Sequence, residues 1–145
     1  MSVEQNKEIV RRFNYELLNE YRLEVADEIF APDARFYADD LSLLAKGPEG
    51  VKELFTRIHS SFPDRRVSIE DLFGEGDRVA CRFIQTATHQ VEVYGVPPTG
   101  KKLTWTGIDI FRIADGKIQE LWPNIDSLRM MEDLGVVPKG RQPGR

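Results

Sequence analysis

"GVPPTGKKLTWTGIDIFRIADGKIQELW", residues Gly95 to Trp122, decides the fold. From Lys102 onward apolar and polar side chains alternate as they do along a half-buried strand, and the pattern breaks once, at Ala114-Asp115-Gly116-Lys117, before it resumes. Gly116 supplies the positive φ that a tight hairpin turn requires. Two long antiparallel strands are therefore predicted, Lys102 to Ile113 and Lys117 to Ile125.

Alternation also sorts the side chains by face. Trp105, Gly107, Asp109, Phe111 and Ile113 share one side, and Thr104, Thr106, Ile108, Ile110 and Arg112 the other. If Asp115-Gly116 is a two-residue turn, Asp109 lies opposite Trp122. Trp105, Asp109, Phe111, Trp122 and Asn124 then form one surface, which reads as a pocket wall, and Ile108, Ile110, Leu121 and Ile125 form an apolar surface suited to a dimer. A three-residue loop with a bulge shifts the pairing by one and brings Asp109 to Leu121 instead. The first register is preferred because it concentrates the polar groups.

Working outward, strand patterns recur at Val67 to Phe73 and at Arg78 to Val93, joined by "GEGD". Upstream the period becomes helical. Ile9, Val10, Phe13, Leu17 and Leu18 form a stripe after Ser2, a suitable cap. Leu23 to Phe30 forms a shorter helix that Pro32 stops, and Asp33 to Ala38 reads as a strand. After a polar loop, "GPEG" opens a third helix with Val51, Leu54, Phe55, Ile58 and Phe62 on its apolar side, ended by Pro63. Helices that precede a strand meander predict an α+β domain in which a curved, mostly antiparallel sheet closes over three N-terminal helices.

Composition agrees with one globular domain: 145 residues, 41% hydrophobic and 30% charged. The formal charge of -4 and scattered basic residues speak against a nucleic-acid partner. Charges in "MSVEQNKEIV" occupy the place of a signal peptide's apolar stretch and no window reaches membrane-spanning length, so no membrane partner and a cytoplasmic address are expected. "PKGRQPGR", Pro138 to Arg145, lacks apolar anchors and reads as a frayed tail, leaving 1–137 as the domain. The single cysteine, Cys81, sits in an alternating apolar run and reads as core.

The element order, together with "EIFAPDARFY", "GPEGVKELF", "GDRVACRF", the stretch from Gly95 to Trp122 and "DLG", resembles the SnoaL-like polyketide cyclase family of the nuclear transport factor 2-like superfamily. The resemblance runs from the first helix to Gly135. It implies a cone-shaped α+β fold with a short C-terminal helix, enclosing an apolar pocket, and a homodimer paired through the outer face of the sheet. The implied activity is an intramolecular aldol closure of a polyketide-like small molecule, with neither metal nor organic cofactor. Where relatives often carry histidine before the tryptophan of this last strand and aspartate after it, this chain has Leu121 and Pro123.

A carboxylate inside an apolar cone resists ionisation and can pass protons near neutral pH, which makes Asp109 the leading catalytic candidate. The alternative for Asp109 is a structural carboxylate bonded to the indole of Trp105 or Trp122. Asp126 is the second catalytic candidate, and it equally suits the cap of a helix beginning at Ser127. Tyr15, His89, Trp105, Phe111, Trp122 and Asn124 are the candidate substrate-binding residues. His89 reads as a wall residue or a ligand-orienting group, and Phe111 and the tryptophans equally suit plain core. Two distant histidines and one cysteine offer no metal-ligand spacing. A non-catalytic binding protein on the same scaffold is the competing expectation.

Overall fold

The computed structural model describes residues 2–140. Helix α1 (Val3–Arg12) is opened by Ser2 in a reciprocal capping box with Gln5 and continues into a π-helical stretch, Phe13–Asn19. Then follow α2 (Val25–Ile29), β1 (Phe30–Tyr37), β2 (Leu43–Lys46), α3 (Gly47–Ser61), β3 (Arg66–Glu75), β4 (Arg78–Thr88), β5 (Lys102–Ala114), β6 (Lys117–Ile125) and α4 (Ser127–Asp133). The strands make one six-stranded sheet in the order β2-β1-β6-β5-β4-β3, parallel only between β1 and β6. Its concave face wraps the helices, as the α+β expectation requires. Most of the expected tail, residues 141–145, lies outside the described residues.

The core is an aromatic knot. Phe13 touches Phe30, Phe36, Phe55 and Phe111 at centroid distances of 5.9, 6.3, 5.7 and 5.4 Å, so one ring joins the first helix, β1, α3 and β5. The edge-on geometries favour the aromatic quadrupoles as well as burial. The π-helical widening begins at Phe13, and in it Asn14 is turned into the core, where its amide donates to the Val10 carbonyl at 2.9 Å. Helical spacing alone could not reveal that extra residue per turn.

Three local expectations are corrected. Helix α2 ends at Ile29 and Phe30 already belongs to β1, so Pro32 sits inside a strand rather than after a helix. The loop before α3 contains β2, a short outer strand paired to β1, which is exposed at Leu43 and Leu44 and shows no clean alternation. Strand β4 stops at Thr88, and residues 89–101 form an excursion closed by His89 N–H to the Lys101 carbonyl and Gly100 N–H to the His89 carbonyl.

The hairpin between β5 and β6 turns on Asp115 and Gly116, both at positive φ (54° and 74°), so the two-residue turn is present. The expected register nevertheless fails. Ile113 pairs with Ile118 and Arg112 with Glu120, leaving Gln119 unpaired as a bulge that the turn chemistry did not announce. Beyond it Asp109 faces Pro123, Ile110 faces Trp122 and Phe111 faces Leu121. Trp122 and Asn124 consequently leave the Asp109 face, and Leu121 joins it.

Candidate functional site

At one end of the cone, the end of α3, the starts of β3 and β5, the 89–101 excursion, the end of β6 and α4 surround a recess of ≈ 350 Å³. Ile58, Phe62, Trp105, Ile125 and Met130 give it an apolar wall, with Glu92, Val93 and Tyr94 at the lip. Arg65 contributes the positive charge. The same side chain borders a cleft of ≈ 30 Å³ on its other side, beside Tyr21 and His59, whose rings stack at 3.7 Å.

Arg65 is held by a short bond from Nε to Gln85 Oε1 (2.6 Å), and its guanidinium carbon lies 5.9 Å from the Phe55 ring centroid. Burial pushes its pKa down to about 10, with the charge of Asp109 acting in the opposite direction. It remains a cation at neutral pH. Among the described residues no carboxylate forms an ion pair with it.

Asp109 is 6% exposed and lies between Cys81 on β4 and Pro123 on β6, with Oδ1 unpartnered among the described residues. Burial pushes its carboxyl up to about 7; Arg65 opposes the shift and Asp39 adds to it. The Cys81 thiol is pushed up to about 12, by burial first and then by Asp109, so it is inert at neutral pH. Asn14 donates to Cys81 Sγ at 3.8 Å, so a buried polar string runs from the first helix towards Asp109. Neither indole satisfies the carboxylate, which removes the structural bond expected as its alternative.

Asp109 does not itself line the recess, which ends at Trp105 and Arg65. Between Trp105 and Asp109 on the same face of β5 is Gly107, and the tip of the Phe83 ring lies over its backbone. The carboxylate therefore lies outside the recess lining, beyond Gly107 along β5.

The structure divides the remaining candidates. Trp105 lines the recess as expected. Phe111 is fully buried against Phe13 and is core rather than wall. Because of the Gln119 bulge, Trp122 lies on the convex face, stacked on Tyr37 at 5.6 Å with Arg78 5.1 Å from its ring, and Asn124 is exposed there. Tyr15 is also on the outside, 40% exposed, with its hydroxyl accepting the Ile69 N–H on the free edge of β3. Glu120 accepts from Arg112 Nε at 2.7 Å and from the Tyr37 hydroxyl at 2.9 Å on the convex side.

Asp126 is exposed and its carboxylate accepts the Arg129 N–H at 3.0 Å, which makes it the cap of α4 and takes it away from Asp109. Asp126→Ala is expected to cost about 1 kcal/mol of stability, measured by urea denaturation, with any turnover unchanged. His89 is wholly buried. Its Nδ1 lies 2.9 Å from Thr99 Oγ1 and 3.3 Å from the Thr99 backbone nitrogen, and Nε2 has no partner among the described residues.

Sequence reasoning missed Arg65 and Gln85. A signal existed for the second: Cys81, Phe83, Gln85 and Ala87 share a face of β4, and an amide on that apolar face needs a polar partner. Nothing local marked Arg65, which follows the end of α3. Among the described residues no group of three or more His, Cys, Asp or Glu side chains is placed to hold a metal, and no helix is long and apolar enough to cross a membrane.

A curved mixed sheet packed on few helices, with an apolar recess at its open end, is the architecture of the nuclear transport factor 2-like class. The model of the SnoaL-like polyketide cyclase family matches residues 8–134, and the chain belongs to that family. IdmH, a proposed polyketide cyclase from Streptomyces antibioticus, is 30% identical over 90% of this chain and 99% of its own, with a TM-score of 0.79. AclR, a proposed hydroxylase from Streptomyces galilaeus, is 28% identical over 97% of this chain and 87% of its own, with a TM-score of 0.82. A proposed SnoaL-like polyketide cyclase from Jannaschia sp. CCS1 is 25% identical over 94% of this chain and 95% of its own, with a TM-score of 0.82. No match was found among curated proteins.

Proposed function

We propose that the chain is an acid-base enzyme that acts on a hydrophobic, cyclic or polyketide-like small molecule with its own side chains, Asp109 being the proton-transfer group. The observation that carries this reading is a buried carboxylate, unpartnered at Oδ1 among the described residues and poised at about 7, on the same strand face as Trp105 of the apolar recess. In an aldol closure the Asp109 carboxylate takes a proton from the carbon beside a carbonyl. The C–H electron pair becomes the enolate double bond and negative charge moves to oxygen. The enolate carbon then bonds to a second carbonyl carbon of the same molecule, and the resulting alkoxide recovers the proton from Asp109, so the product is an isomer of the substrate. Access requires a path from the recess lining to Asp109, which lies beyond Gly107 on the same face of β5. The test is turnover of polyketide-like methyl ketones by the wild type and by Asp109→Asn, with absence of turnover in the wild type counting against catalysis.

A second reading, a binding protein without turnover, draws on the absence of Asp109 from the residues that line the recess. It predicts that hydrophobic ligands bind the wild type and Asp109→Asn alike and leave unchanged.

A homodimer is part of the proposal. Register lines up Phe73, Ala80, Ile110 and Trp122 across β3, β4, β5 and β6 on the convex face, and Phe73 is 64% exposed there, with Ile108 nearby at 49%. An apolar row of this kind on a sheet's outer face fits a second copy of itself. Light scattering of the purified chain is expected to give twice the monomer mass, and Ile110→Arg to give the monomer.

A further inference from the structure

We infer that Arg65 is the anion receptor of the recess, and that the ligand is a planar apolar molecule carrying one anionic oxygen, a carboxylate or an ionised phenol, which sits on the guanidinium. The inference rests on the recess being the ligand site, and deepens that reading by naming the ligand's charge. Arg65 has a cation's full requirement for acceptors, and its bonded partner among the described residues is the neutral amide of Gln85, at Nε. Its two Nη atoms make no hydrogen bond among the described residues, and the residue lines the open recess. That leaves the forked edge of the guanidinium, the edge that meets a carboxylate with two parallel bonds, for a molecule from outside.

The neighbouring carboxylates do not fill the place. Glu92 is exposed at the lip and Asp109 lies outside the recess lining, and neither comes within ion-pair distance of Arg65 among the described residues. The side chain is also fixed in advance. The Gln85 bond and the Phe55 face hold it, so little rotamer freedom is lost when an anion arrives. Phe62 and Trp105, 6.3 Å apart and inclined at 58°, shape the adjoining wall for a flat apolar body. Cation and aromatic wall together recognise an aromatic acid, where either alone would accept many ligands.

The experiment is titration calorimetry of the full chain at pH 8 with 2-naphthoate and with 2-naphthylmethanol, which share a ring system and differ in charge. The wild type is expected to bind the acid about tenfold or more tightly than the alcohol. Arg65→Gln is expected to bring the two within about threefold while the alcohol's affinity holds, and Arg65→Lys to keep part of the preference as a point charge. Melting curves of both variants report whether they fold. Equal affinities in the wild type, no binding of either ligand, or a preference that survives in Arg65→Gln overturns the inference. A wild-type preference for the acid combined with undiminished turnover in Asp109→Asn would uphold the anion receptor and sink the acid-base reading, so the two fail separately.

Discussion

Asp109→Asn is expected to lower turnover by about 10²- to 10⁴-fold, the usual worth of a positioned proton-transfer group, with ligand affinity changed little. The amide has nearly the carboxylate's shape and cannot take the proton. The wild-type rate is expected to rise with pH through about 7, as the carboxyl becomes the base, and the residual rate of the variant to lose that inflection. Stability should move the other way. Because the folded-state pKa of Asp109 lies above that of the unfolded chain, the native protein holds a proton that the unfolded chain releases. The group's contribution is therefore complete below about pH 4 and is lost as pH rises through about 7, a span worth on the order of a few kcal/mol. Urea denaturation across that range should show the wild type weakening and Asp109→Asn lacking this component. A variant with full activity, or a wild-type stability that climbs with pH through the window, would remove Asp109 from the site.

The other large effect belongs to Gly107, at the midpoint of β5. A Cβ there would stand 2.5 Å from Phe83 Cζ and 2.7 Å from the Asn124 carbonyl oxygen. One obstacle is a rigid ring packed at 2% exposure and the other is backbone in the paired strand, so neither yields cheaply. Gly107→Ala is expected to cost about 3 kcal/mol, roughly 10 °C in melting temperature for a chain of this size. Adding Phe83→Leu should recover part of the loss, because it withdraws one of the two clashes and leaves the other. An unchanged melting temperature in the single variant would show that the ring does not lie where Gly107 needs it.

How much of this could be read in advance depends on the range of the interaction. The four long strands were legible because apolar and polar residues alternate along them, without interruption in β4 and β5, and the first and third helices because their apolar stripes recur on one side. Asp109 was legible because a carboxylate in such a run is costly wherever it points. What failed depended on single residues. The bulge at Gln119 is stabilised by its own amide, which donates to the Ala114 carbonyl at 3.0 Å, a contact no periodicity announces. It moved Trp122 and Asn124 to the outside. Asp126 was ambiguous in sequence because an aspartate before a helix and an aspartate in a site look alike until the Arg129 N–H is seen on it. Arg65 is brought to Gln85 across twenty positions of chain, and only tertiary packing makes that meeting.

The unpaired Gln119 makes the cone's inventory depend on counting as well as on chemistry. Every residue of β6 beyond it has exchanged inside for outside relative to an unbroken ladder, so deletion of this one glutamine would return Trp122 to the interior and expel Leu121. Substitutions in β6 adjust the cone one side chain at a time, whereas a one-codon insertion or deletion beside the turn re-deals the wall at a stroke. Divergence of ligand choice among chains built on this hairpin can therefore proceed through small length changes at residue 119. A comparison of relatives that slides a gap past this point will assign the wrong face to every residue after it.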